Sequence, residues 1–155
     1  MIQRIQTLWL FLAAALCAVS VFMPLAHFAA GTETYAFGAY WLKNAAGEIV
    51  FRPPLYVALL LDMACVLPLI TIFLYNRRML QFRLCVVEIV LLAGAQIIML
   101  IYCFLADRMF SEMDFYAVSL RVTAFLPVAA VLFSWLAARG IMRDEIMVRS
   151  LDRIR

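Results

Sequence analysis

Residues 84–106 read LCVVEIVLLAGAQIIMLIYCFLA, a stretch of 23 residues whose one charged side chain is Glu88. Wound as a helix, it would be about 34 Å long, enough to cross a hydrocarbon core of ~30 Å. A bilayer interior offers no water to backbone N–H and C=O groups, so a helix, which bonds them internally, is the favoured conformation for such a run. Three other stretches repeat the pattern: Thr7–Phe28, Leu55–Tyr75 and roughly Leu120–Arg139, each with at most one acidic residue. The expected architecture is an all-α membrane protein, a four-transmembrane-helix bundle forming a single integral membrane domain over residues 1–155. The loops are 29–54 and 107–119 on one side, with a tail at 140–155 on the other.

The rest of the composition agrees. Of 155 residues, 68% are apolar and 15% charged, with a mean hydropathy of +1.00, whereas soluble domains are nearer half apolar and a quarter charged. What lies between the spans is too short for an independent soluble core. The run from Thr7 to Phe28 exceeds the apolar core of a cleaved signal peptide, so it is read as a retained span even though Phe28-Ala29-Ala30 resembles a cleavage site.

The distribution of charge orients the bundle. Arg4, Arg77, Arg78, Arg83, Arg139, Arg143, Arg149, Arg153 and Arg155 fall at the N-terminus, the short connection Asn76–Arg83 between spans two and three, and the tail; Lys43, Arg52, Arg108 and Arg121 fall in the other two loops. By the positive-inside rule both termini are cytoplasmic. Arginines spread along a membrane surface are what insertion itself requires, so nucleic acid is not an expected partner. Cys17, Cys65, Cys85 and Cys103 all lie within spans without a CxxC spacing, and His27 is the single histidine. Neither a metal site, nor a cofactor, nor a catalytic constellation is expected from this set.

The first loop carries strand signals. Thr34–Leu42 and Glu48–Arg52 are rich in aromatic and branched residues and flank Lys43-Asn-Ala-Ala-Gly47, which predicts a short extracytoplasmic β-hairpin with a five-residue turn. Pro53-Pro54 closes it. The second loop, with Met109, Phe110, Phe115 and Tyr116 among charges, predicts an interfacial helix. Pro24 is expected to bend the outer end of span one, and Pro127 interrupts the middle of span four. Ala14 with Ala18, and Ala93-Gly94-Ala95, offer small-residue packing faces. The tail continues as a cytoplasmic helical extension, and Arg143, Asp144, Glu145, Arg149, Asp152, Arg153 and Arg155 are its candidate partner-binding residues.

Two carboxylates within the spans are the candidate functional groups, since an ionisable side chain there costs ~2.5–3.5 kcal/mol on insertion scales. Asp62 lies about 10 Å inside the outer end of span two and Glu88 about 6 Å inside the inner end of span three. Their expected separation in depth is thus about 15 Å of a ~30 Å core, too far for a shared proton. Glu88 is expected to snorkel or to pair with Arg83 or a tail arginine. Asp62 has Gln96, Ser20 or a helix carbonyl as expected partners.

The opening Met1-Ile-Gln-Arg-Ile-Gln-Thr7 and the closing Arg143-Asp-Glu-Ile-Met-Val-Arg-Ser-Leu-Asp-Arg-Ile-Arg155, with the span order between them, resemble the small four-span proteins of Bacteroidota known as domain of unknown function 4293. That resemblance implies a bacterial inner membrane and no particular substrate. The expected role is a non-catalytic accessory or scaffold subunit, with the lipid bilayer and a membrane or cytoplasmic protein, or a second copy of the chain, as partners. The alternative is a small proton- or ion-coupled transporter using Asp62.

Overall fold

The computed structural model describes residues 2–30, 33–51, 56–75, 77–110 and 117–152. Four helices carry the fold: α1 (Ile2–Phe22), α2 (Tyr56–Phe73), α3 (Arg78–Phe110) and α4 (Leu126–Asp152). All four are long and apolar enough to cross a membrane. Each helix packs on two neighbours, α1 on α2 and α4, α3 on α2 and α4, which makes an up-down-up-down square with both termini and the α2–α3 connection at one end. We call this the terminal end.

The packing faces are made of small residues. Ala13, Cys17, Ala64, Leu92 and Ala130 form one buried cluster at mid-bundle. The helices come close enough there for Cys65 Sγ on α2 to approach the Ala14 carbonyl of α1 at 3.6 Å, as small-residue interfaces allow. The expected face at Ala93-Gly94-Ala95 is corrected: Ala95 is buried, but Gly94 has open space where a Cβ would stand. Trp9 stacks on Phe133 with centroids 5.5 Å apart and ties α1 to α4 nearer the terminal end.

The opposite end is capped by a five-stranded antiparallel sheet, larger than the single hairpin expected beside the helices. The strands are β1 (Ala26–Ala30), β2 (Glu33–Phe37), β3 (Leu42–Lys43), β4 (Ile49–Phe51) and β5 (Ala117–Leu120), in the order β4-β3-β2-β1-β5. The turn expected at 43–47 runs from Asn44 to Glu48, with Lys43 in β3: Gly47 takes φ +82°, a conformation that favours glycine, and Asn44 Oδ1 accepts from the Glu48 N–H at 2.8 Å. The arm read as 34–42 is two strands, reversed at Gly38, whose N–H donates to the Trp41 carbonyl at 2.7 Å. Residues 52–55, with Pro53-Pro54, lie outside the described set.

Span one ends sooner than its hydropathy suggests. α1 stops at Phe22 and the apolar residues beyond Pro24 become β1. Proline cannot extend the helical ladder, and its carbonyl is taken by the Thr123 hydroxyl. The second loop is corrected likewise. α3 continues to Phe110 and β5 pairs with β1, Phe28 opposite Val118; residues 111–116 of the expected interfacial helix lie outside the described set. A 3-10 turn, Val122–Phe125, leads into α4. Pro127 therefore occupies the first turn of α4 rather than mid-span, where its missing N–H has no helical partner to lose. Beneath the sheet, Phe28 and Phe37 meet edge to face at 6.3 Å and pack over Val57, Ala58, Leu61 and Met99.

Candidate functional site

Glu88 has no solvent exposure. It lies ten residues from Arg78, the start of α3, so about 15 Å along the helix and near mid-bundle. Its Oε1 is 2.6 Å from Ser134 Oγ on α4, and that hydroxyl is also 3.0 Å from the Ala130 carbonyl. One hydroxyl proton serves one acceptor at a time. Oε2 has no hydrogen-bond partner among the described residues. The expected snorkelling is corrected: Glu88 turns into the bundle, away from Arg83, which is exposed at the terminal end. Helix packing decides this, since α4 supplies Ser134 on the buried face where Glu88 projects.

Asp62 is half-buried on the flank of α2, six residues and about 9 Å from Tyr56. Its partner is the hydroxyl of Tyr40, which reaches down from the β2–β3 turn. The expected partners are corrected, for Ser20 Oγ lies 3.1 Å from the Leu16 carbonyl and 3.3 Å from the Thr123 carbonyl, and Gln96 Oε1 is buried without a partner among the described residues. The bond to Asp62, followed by burial and by the carboxylate's charge, pushes the Tyr40 phenol up to about 12.

The expected 15 Å separation in depth is corrected as well. Asp62 stands about 17 Å from the Phe73 end of α2, and Glu88 about 15 Å from the adjoining start of α3. They therefore lie at nearly one level. They differ in environment instead, Asp62 on a flank and Glu88 inside. Of the thiols nearby, Cys17 is buried and within electrostatic reach of Glu88 and Cys65, and the half-buried Cys65 is within reach of Asp62.

At the terminal end a polar seam joins three helices. Gln6 Nε2 on α1 donates to Asp144 Oδ2 at 2.7 Å, and an Arg78 guanidinium nitrogen lies 3.4 Å from the Asp144 carbonyl. Gln81 Nε2 donates to the Thr71 carbonyl at 2.9 Å, closing the α2–α3 corner. Two open grooves flank the seam. One, of about 600 Å³, is lined by Arg77, Arg78, Arg83 and Glu145 with Met79, Leu80 and Val148. The other, of about 540 Å³, includes Trp9, Arg139, Arg143, Asp144 and Met147. Among the tail candidates, Arg143, Asp144 and Glu145 thus line grooves, Arg149 and Asp152 fall on α4, and Arg153 and Arg155 lie outside the described residues.

At the sheet end, burial and then the Arg121 charge lower the His27 pKa; its Nε2 is buried without a hydrogen-bond partner among the described residues. Ser134, Tyr40 and Gln6 are the site residues that sequence reasoning missed. A serine inside an apolar span facing a lone carboxylate was the available signal for the first.

No curated protein matches the chain. The family model for the domain of unknown function DUF4293 matches residues 2–154, and the chain belongs to that family.

Proposed function

We propose that this chain is a non-catalytic accessory subunit of a bacterial inner membrane, crossing it four times with the sheet outside and the terminal end in the cytoplasm. There α4 offers a protein partner its exposed side. The observation that carries the reading is the overshoot of α4. It continues eight residues past Asp144 to Asp152, about 12 Å, whereas α1 begins only four residues before Gln6, the partner of Asp144, about 6 Å. Beyond Gln6 its outer part presents Ile146, Met147 and Val148, 61%, 54% and 41% exposed, among the charges of Arg143, Asp144 and Glu145. Apolar side chains rimmed by charge on a helix end suit a helix-to-helix contact with another subunit. A small-residue core speaks for a rigid scaffold more than for a solute path. The test is purification in mild detergent of the chain and of Ile146→Ser/Met147→Ser, with identification of bound proteins. A partner lost only from the variant supports the reading; identical partners, or none with the unaltered chain, contradict it.

One observation favours the transport alternative. Tyr40 and Asp62 join the sheet to the flank of α2 through two titratable groups. Asp62→Asn should then abolish pH-driven flux in proteoliposomes, and flux that survives the change removes this reading.

A further inference from the structure

We infer that the groove between the start of α3 and the outer part of α4 is a binding site for the phosphate headgroup of an anionic phospholipid. Arg77, Arg78 and Arg83 converge on its about 600 Å³, and Glu145 is the single carboxylate among its described lining residues. Guanidinium groups match phosphate oxygens in a planar, two-bonded geometry that an ammonium does not offer. Arg78 is half-buried and oriented by the Asp144 carbonyl at 3.4 Å, so part of the site is already ordered. The first turn of α3 adds the positive end of a 33-residue helix.

Position and lining select a lipid over a free anion. The arginines sit where the apolar stretches of α2 and α3 end, the level of headgroups if these helices cross a bilayer. Met79 and Val148, 38% and 41% exposed, give the groove an apolar side that suits glycerol and the start of an acyl chain. Basic pockets between helices at this level are a recurring means of holding anionic lipids. The neighbouring groove is a weaker candidate: its Arg139 lies over the Trp135 ring at 5.4 Å, and Asp144 offsets Arg143.

Such a site requires the membrane-spanning reading, and the two fail differently. A chain that stays soluble without detergent fails both. A chain that inserts but ignores lipid charge fails only the groove. The experiment is native mass spectrometry of the full chain in neutral detergent, titrated with phosphatidylglycerol or phosphatidylcholine, with glycerol 1-phosphate and inorganic phosphate as competitors. At about fivefold per arginine near an anionic lipid, the preference for phosphatidylglycerol should be on the order of a hundredfold. It should fall towards parity in Arg77→Gln/Arg78→Gln/Arg83→Gln and persist in Arg143→Gln. Glu145→Gln should tighten phosphatidylglycerol several-fold, an independent readout should the triple variant not fold. Equal binding of the two lipids, an undiminished preference in a folded triple variant, unchanged or weakened binding in Glu145→Gln, or displacement by inorganic phosphate at the lipid's own concentration would each overturn the inference.

Discussion

Removing the hydroxyl that meets Glu88 should cost far more when the carboxylate is present than when it is not. Ser134 Oγ stands 2.6 Å from Glu88 Oε1, and both residues are fully buried. Interhelical hydrogen bonds inside membranes average ~0.6 kcal/mol and reach ~1.7. A short contact to a buried carboxyl belongs at the upper end, and a carboxyl oxygen left without its donor adds to the loss. Ser134→Ala should therefore destabilise the chain by about 1.5–2 kcal/mol, roughly 3–8 °C for a protein of this length. Glu88→Met replaces the carboxyl with an apolar group of similar size. Since Oε2 has no partner among the described residues, that change should lie between a loss of about 1 kcal/mol and a gain of a few. In the Glu88→Met background Ser134→Ala should cost less than about 0.5 kcal/mol, a coupling of about 1–1.5 kcal/mol. Thermal unfolding in neutral detergent, followed by circular dichroism, measures all four corners of the cycle. Equal costs of Ser134→Ala in the two backgrounds would refute the pairing. A loss above about 3 kcal/mol from Glu88→Met would show that the carboxyl supports the fold. A stable Glu88→Met chain would instead mark a group kept for use, as intramembrane carboxylates are by default.

Other parts of the fold give sharp expectations. His27 is the single histidine, so its imidazole resonances are unambiguous; they should titrate below the ordinary 6.5. Its folded pKa is lowered, so its contribution to stability is complete above pH 6.5 and is lost as the pH falls through the folded value. A midpoint at or above 6.5 would contradict the burial of its Nε2. At Gly140 an added Cβ would stand 3.0 Å from Gln6 Cγ, a flexible side chain. Gly140→Ala should then change stability by less than about 0.5 kcal/mol, its gain in helix propensity offset by the contact. Gly140→Leu should displace Gln6 from Asp144 and cost about 1–2 kcal/mol in thermal unfolding.

Hydropathy made the four helices legible, because length and apolarity are all that a membrane-crossing helix demands. It was blind to β1 and β5. His27 and Phe28 prolong the apolar run of α1, and only Pro24 marks the break. The strands also depend on each other, since β5 is held by β1 across about ninety residues of chain. Arginines misled the reading of α3. Arg77, Arg78 and Arg83 looked like loop, yet arginine is a good helix former and α3 starts at Arg78. That shift moved Glu88 from the helix end to mid-bundle. Asp62 and Glu88 were visible as anomalies of composition. Their partners, Tyr40 and Ser134, were not, because which side chains face each other is a property of packing.

The most direct test of the account is the sidedness of its two ends. Ala45 in the β3–β4 turn and Ser150 near the end of α4 are both exposed. Cys17, Cys85 and Cys103 are buried and Cys65 is half-buried, and the unaltered chain gives the labelling background. In bacterial cells whose outer membrane has been opened, Ala45→Cys should react with a membrane-impermeant maleimide, and Ser150→Cys should react only after the inner membrane is broken. The reverse pattern, or a chain recovered in the soluble fraction, would contradict a four-span protein with its sheet outside and its arginine end within.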